Sequence, residues 1–167
     1  MATNFLEQLV SEWYEYKHFF VRRNVKVGRR TNGGYDCELD VVAFNPETKE
    51  LVHVEPSMDS DDWATRERRY SKKFELGRKH IPELFKGIEI PTDVKQIALL
   101  VYASNANRES LGGGKLVHVR EFLVEIYYDL RKRRISNDIV PESFPVLRGL
   151  QFTAEYWSII SAIMKTE

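Results

Sequence analysis

The amino-acid sequence predicts an α/β fold, one mixed sheet with helices packed on it, and three observations carry that prediction. Apolar residues open the chain at helical spacing, and three short β-type runs follow. A long helical stripe then leads into an almost wholly apolar run, Gln96 to Ala103, of the kind found in a strand buried on both faces. The 167 residues suit a single domain spanning 1–167, and 43% hydrophobic with 12% aromatic residues is enough for a buried core.

Each element has its own signal. From Phe5 to Phe20, Leu6, Leu9, Val10, Trp13 and Phe20 recur at helical spacing behind a candidate cap at Thr3 or Asn4. Phe20 to Val27 alternates through Val21, Val25 and Val27, and Thr31-Asn32-Gly33-Gly34 ends it with turn chemistry. Cys37 to Phe44 and Leu51 to Val54, joined by Asn45 to Glu50, read as a hairpin. Ser60 is the candidate cap of a second helix, with Asp61 and Asp62 in its first turn, where carboxylates favour the positive end of the helix dipole. Trp63, Tyr70, Phe74, Ile81 and Leu84 form its buried stripe, and Pro82 should kink or end it. Beyond Ala103, Gly112-Gly113-Gly114 reads as a flexible break, Leu116 to Val119 as a short strand and Arg120 to Arg133 as a helix. A last helix, about Thr153 to Met164, carries Tyr156, Trp157, Ile160 and Ile163 at helical spacing.

Charge and cysteine content exclude several classes of function. Basic and acidic residues number 25 each, so a polyanion must be held by local clusters rather than by the field of the whole protein. One cysteine, Cys37, rules out an internal disulfide, and no Cys/His spacing resembles a structural zinc site. Cys37 also lacks a base partner in sequence, which argues against a thiol nucleophile. Met1 to Val10 lacks a secretory signal pattern and no run is long enough to span a membrane, so a cytoplasmic location without membrane contact is the expectation. Gly112 to Lys115 lacks the spacing of a phosphate loop.

The hairpin carries the strongest chemical signal. A turn symmetric about Glu47 and Thr48 places Asp40 opposite Glu55, Glu38 opposite Ser57 and Val42 opposite His53, all on one face. Opposed residues have Cβ atoms about 4.5–5.5 Å apart, where like charges repel, so two carboxylates need a cation or a proton. Mg²⁺, or Mn²⁺, suits such a pair, because it takes oxygen ligands and binds through one or two carboxylates plus substrate phosphate. The alternative is a carboxylate that simply faces solvent at a strand end. Of the four histidines only His53 falls on the site face. Arg66, Arg69 and Lys73 run along one side of the second helix, whose Arg66, Arg68, Arg69, Lys72, Lys73, Arg78 and Lys79 make it the most basic stretch. Arg131-Lys132-Arg133-Arg134 is a second cluster, for which the helix dipole alone is a sufficient reason.

The pattern from Gly34 to Ser57, GYDCELDVVAF followed by LVHVEPS, resembles the PD-(D/E)XK, or restriction-endonuclease-like, nuclease superfamily. The resemblance covers roughly Phe5 to Ala103 and implies a core of helix, three strands, helix and strand. It implies that Asp40, at the acidic position of the second strand, and Glu55, on the third, are catalytic metal ligands. It further implies an acidic residue on the first helix, Glu7 with Glu12 as runner-up, and a polar residue four before a tyrosine, here Arg66 and Tyr70. Ser57 stands where the family has lysine and cannot supply a cation. Either Lys73, ahead of Lys72, takes over that catalytic role from the second helix, or the branch has reduced or lost turnover. Pro56 cannot donate to the ladder, so the third strand should be at an edge, bulged, or ending there.

The function so implied is an Mg²⁺-dependent nuclease that hydrolyses phosphodiester bonds in DNA, with Arg66, Arg69, Lys72 and Lys73 on the nucleic acid. The alternative is a catalytically inactive nuclease-fold protein acting as a nucleic-acid-binding or scaffold module. A small-molecule enzyme built on the same carboxylates is a third reading. The oligomeric state is left open, and a homodimer is compatible with the sequence.

Overall fold

The computed structural model describes residues 4–103 and 107–165. The chain divides into two compact units, Met1–Val119 and Arg120–Glu167.

The first unit is built on an open, mixed sheet of six strands flanked by helices. The order along the chain is α1 (Phe5–Tyr16), β1 (Phe20–Arg29), β2 (Tyr35–Asn45), β3 (Glu50–Ser57), α2 (Trp63–Leu84), β4 (Lys95–Leu100), β5 (Ser110–Leu111) and β6 (Gly114–His118). Across the sheet the strands run β1-β2-β3-β4-β6-β5. The β1–β2, β2–β3 and β5–β6 pairs are antiparallel, while β3–β4 and β4–β6 are parallel. Each parallel neighbour is reached by a crossover, and α2 is the crossover from β3 to β4.

Alternation along the strands places the core. Val42, Phe44 and Leu51 pack with Ile81 and Phe85 at one end of α2. Tyr70 and Phe74, nearer its start, pack with Ala98, Leu100, Leu111 and Leu116. The intervening Val41, Ala43, Val52 and Val54 are also buried and project to the opposite face. There α1, buried through Leu6, Leu9, Val10 and Trp13, meets β1, β2 and β3. Gln96 to Leu100 are all buried, as a strand between two parallel neighbours requires.

Several expected boundaries shift for physical reasons. Helix α1 ends at Tyr16 rather than Phe20, because His18 turns into the left-handed region (φ 65°) and Phe20 already pairs with Phe44. Its cap is Asn4, whose side chain accepts from the Leu6 N–H at 3.0 Å; Thr3 lies outside the described residues. Asp62, not Ser60, caps α2 and accepts from the Thr65 N–H at 3.0 Å. Pro82 sits in the last turn of α2, which closes at Leu84. The triple glycine is not a flexible break. Gly112 and Gly113, at φ 59° and 82°, form the two-residue hairpin turn from Leu111 to Gly114. A Cβ on Gly112 would lie 2.5 Å from the Ser71 backbone nitrogen, so α2 and this turn meet backbone to backbone.

The second unit holds α3 (Val119–Leu130), α4 (Pro145–Glu155) and α5 (Trp157–Met164). The single last helix expected from Thr153 is therefore two, broken at Tyr156. Helix α5 buries none of its residues, and Trp157 (59%) and Ile163 (67%) are exposed rather than forming a core stripe. The basic cluster is engaged locally: Arg131 and Lys132 lie over the Tyr128 ring, and Arg133 pairs with Asp129 and Asp138. Among the described residues, no helix is long and apolar enough to cross a membrane.

Candidate active site

The β2–β3 register is the one a symmetric hairpin requires, with Val42 opposite His53 and Phe44 opposite Leu51. The ladder stops at Val41 and Val54, however, so Asp40 with Glu55, and Glu38 with Ser57, do not form the backbone pairs expected from the sequence. Beside this point Asn24, at φ 52°, interrupts the β1–β2 pairing opposite Asp40, while β3 stays paired with β4 from Val52 through Ser57. The freed Asp40 N–H donates instead to Glu55 Oε1 at 3.2 Å. Pro56 lies beyond the end of the β2 ladder, and β3 is an interior strand of the sheet.

The two carboxylates nevertheless converge. Lys73, projecting from α2, places Nζ 2.8 Å from Asp40 Oδ1 and also donates to Glu55 Oε2. The cation that the pair needs is thus an ammonium from the helix that covers this face. All three groups are largely withdrawn from water, with side-chain exposures of 18% for Asp40, 2% for Glu55 and 24% for Lys73. Burial, reinforced by the charge of Glu55, pushes the Asp40 carboxyl up to about 7 against the pull of Lys73. Burial opposes the charge on Lys73, but Glu55 and Asp40 outweigh it and hold the ammonium above its usual range. Two acids and one ammonium leave surplus negative charge when both acids are ionised.

Glu7, on α1, belongs to the same electrostatic neighbourhood. Burial raises its carboxyl, and the charge of Asp40 raises it further. Glu12 is buried and accepts from Gln8 Nε2 at 2.9 Å. Among the described residues, no group of three or more His, Cys, Asp or Glu is placed to hold a metal ion together. The donor set is therefore two carboxylates. That fits a hard divalent ion which keeps several waters and completes its shell with phosphate oxygens, and it does not fit a closed structural site.

Behind Glu55 lies a polar chain. His53 is fully buried, and its Nε2 is 2.7 Å from Glu55 Oε1. Gln96 Nε2 is 3.2 Å from His53 Nδ1 and donates to the Phe74 carbonyl at 2.8 Å, while Arg78 donates to Gln96 Oε1. Burial pushes the His53 imidazole down to about 3, so it is neutral at physiological pH. The ring meets Phe74 edge-on, and a Cβ at Gly77 would lie 2.5 Å from Nδ1. Gly77 is therefore needed for α2 to approach this closely. Tyr70 Oη donates to the Glu55 carbonyl at 3.3 Å, and burial raises its phenol to about 12.

A second hub sits at the mouth of the site. Asp59 accepts from Ser57 Oγ and Arg69, and from Arg66 Nε at 3.2 Å, while Arg66 also reaches the Asp59 carbonyl at 2.7 Å. Arg66 is 3% exposed, with its guanidinium 5.2 Å from the Trp63 ring, so it braces the loop before α2. Trp63 is only half-buried and also has Arg108 at 4.8 Å. Arg69 pairs with Asp61 as well, at 2.8 Å, and Lys72 is exposed. Asp40, Glu55, Ser57, Asp59, Arg69, Tyr70 and Lys73 share one cleft of about 220 Å³. Cys37 is half-buried with its thiol pushed up by burial, which keeps it protonated.

The sequence flagged His53, and Arg78 as part of the basic helix, but not Gln96 or Asp59. Gln96 had one detectable signal, as an uncharged polar residue at the head of a run of apolar strand. Compared with known proteins, the chain matches no protein-family model and no curated protein.

Proposed function

We propose that this site holds Mg²⁺ or Mn²⁺ between Asp40 and Glu55 and hydrolyses phosphodiester bonds in DNA. The observation that carries the reading is the convergence of two largely buried carboxylates on one cation, Lys73 Nζ. The order helix, three strands, helix, strand supports it, as does the resemblance of the β2–β3 segment to PD-(D/E)XK nucleases. When bound, the ion supplies charge stabilisation at the phosphate and activates the attacking water. Asp40 and Glu55 would hold the ion, and Glu7, whose carboxyl already feels the charge of Asp40, or Glu12 as its runner-up, would add negative charge around it. Lys73 supplies the positive charge that Ser57 cannot, from a different backbone position. Arg69 and Lys72 meet the flanking phosphates, so binding weakens steeply with salt.

A second reading is a nuclease-fold protein that binds nucleic acid without turnover. It is favoured by Ser57, which stands at the lysine position of the resemblance and donates to Asp59 rather than to the carboxylate pair. The test is cleavage of supercoiled and linear DNA with and without Mg²⁺, in the native protein and in Asp40→Ala and Glu55→Ala. The proposal expects metal-dependent cleavage, lost in both variants while their folding, read by circular dichroism, persists. Cleavage that survives either substitution rejects it, and DNA binding without cleavage selects the second reading.

A further inference from the structure

We propose that His53 is a positioning residue for Glu55, and that Gln96 selects the tautomer in which it acts. The inference rests on the metal-site reading above and deepens it.

The Gln96 side chain touches three groups. The Phe74 carbonyl at 2.8 Å is an acceptor and requires an amide N–H, while Arg78 is a donor and requires the amide oxygen. Both demands fix the same orientation, so the nitrogen that faces His53 Nδ1 is a donor. Nδ1 must then accept, and the ring proton resides on Nε2, which points at Glu55 Oε1 at 2.7 Å. Oε1 thereby receives His53 and the Asp40 N–H, leaving Oε2, bonded to Lys73, as the oxygen available to a cation. Each polar atom in this chain has a partner, and the histidine has no accessible surface. A buried network satisfied at every member holds its groups in one arrangement. Partners that orient a metal-binding carboxylate in this way typically contribute about 10–100-fold to affinity or activity.

Packing enforces the same geometry. Gly77 lets α2 lie against the imidazole, and Phe74 of the same helix meets the ring edge-on, so two residues of α2 bear directly on it. The role differs from that of a catalytic residue, since His53 touches neither the cleft nor a reacting atom.

The experiment compares His53→Leu, which removes the donor, with His53→Gln, whose amide N–H can occupy the place of Nε2–H. Mn²⁺ titrations followed by the melting temperature and by DNA cleavage give the half-saturating concentration. The expected result is a 10–100-fold rise in His53→Leu, restoration to within about threefold in His53→Gln, and kcat at saturating Mn²⁺ close to the native value. Equal shifts in the two variants, or none in either, overturn the inference. A second readout needs no metal: ¹⁵N spectra of the imidazoles, with His53 assigned by its loss in His53→Gln, should show Nε2 protonated and Nδ1 bare at neutral pH. A proton on Nδ1 overturns the positioning inference alone. Native protein that shows the Nε2–H form but takes up no Mn²⁺ overturns the metal reading and leaves the hydrogen-bond chain standing.

Discussion

The cleft under α2 and the exposed helix α5 are opposites. In the cleft two acids and an ammonium, and behind it an imidazole, are packed where apolar side chains would ordinarily be, and each is tied to a partner. In α5, isoleucines, a methionine and a tryptophan face outward, and not one residue of the helix is buried. The contrast teaches that hydrophobic spacing identifies which residues share a face, while only the tertiary structure decides what that face meets. It also separates two energetic regimes. Substitutions in the cleft break a network with little water to fall back on, whereas substitutions on α5 change side chains that already face solvent.

The sharpest way to break this contrast is Lys73→Met. It should cost about 3–5 kcal/mol at pH 8 in urea denaturation, because it leaves Asp40 and Glu55 facing each other without a cation. At pH 5 the loss should be smaller, since Asp40, already raised to about 7, takes a proton and relieves the repulsion. Added Mg²⁺ should also recover part of it. A loss below about 1 kcal/mol at both pH values would show that the ammonium contributes little to the pair.

Next in size is Asp59→Asn, at about 1–2 kcal/mol, the scale of a charge-assisted hydrogen bond. Burial opposes ionisation of Asp59, but hydrogen bonds from Ser57 and Arg69 outweigh it and hold the carboxyl at about 2. A carboxyl lowered in the folded state contributes stability above its unfolded value, near about 4, and loses it as pH falls toward the folded value. The gap between native protein and Asp59→Asn should therefore be full at pH 7 and close between about pH 4 and pH 2. A gap independent of pH would mean that the carboxylate charge plays no part. The smallest effect belongs to α5: Trp157→Ser and Ile163→Asp should each change stability by no more than about 0.5 kcal/mol. A cost above about 1 kcal/mol in either would show that the helix is covered in solution.

How much of this was legible in the sequence follows from the same physics. The hairpin register was legible, because side chains alternate with period two and the turn between Asn45 and Glu50 is symmetric. That Lys73 reaches the two carboxylates was legible, because helical spacing places it with Arg66 and Arg69 on one side of α2. The early end of the β2–β3 ladder was not, since period-two alternation sets the register of a hairpin and not where its backbone pairing stops. Asp59 was not either: a loop carboxylate gains its role from Arg66 and Arg69, ten residues or fewer away but fixed only by the start of α2. Ser60, Asp61 and Asp62 are equally good caps by composition. Geometry chooses Asp62, and Asp61 turns to Arg69.

The central claim, that Asp40 and Glu55 jointly bind one divalent cation, is tested most directly by electron paramagnetic resonance of Mn²⁺ titrated into the native protein, Asp40→Asn and Glu55→Gln. The account predicts one bound ion per chain in the native protein and loss of that binding in both variants, with their melting temperatures in the absence of metal showing that they remain folded. Native protein that binds no Mn²⁺, or variants that bind it as the native protein does, would contradict it.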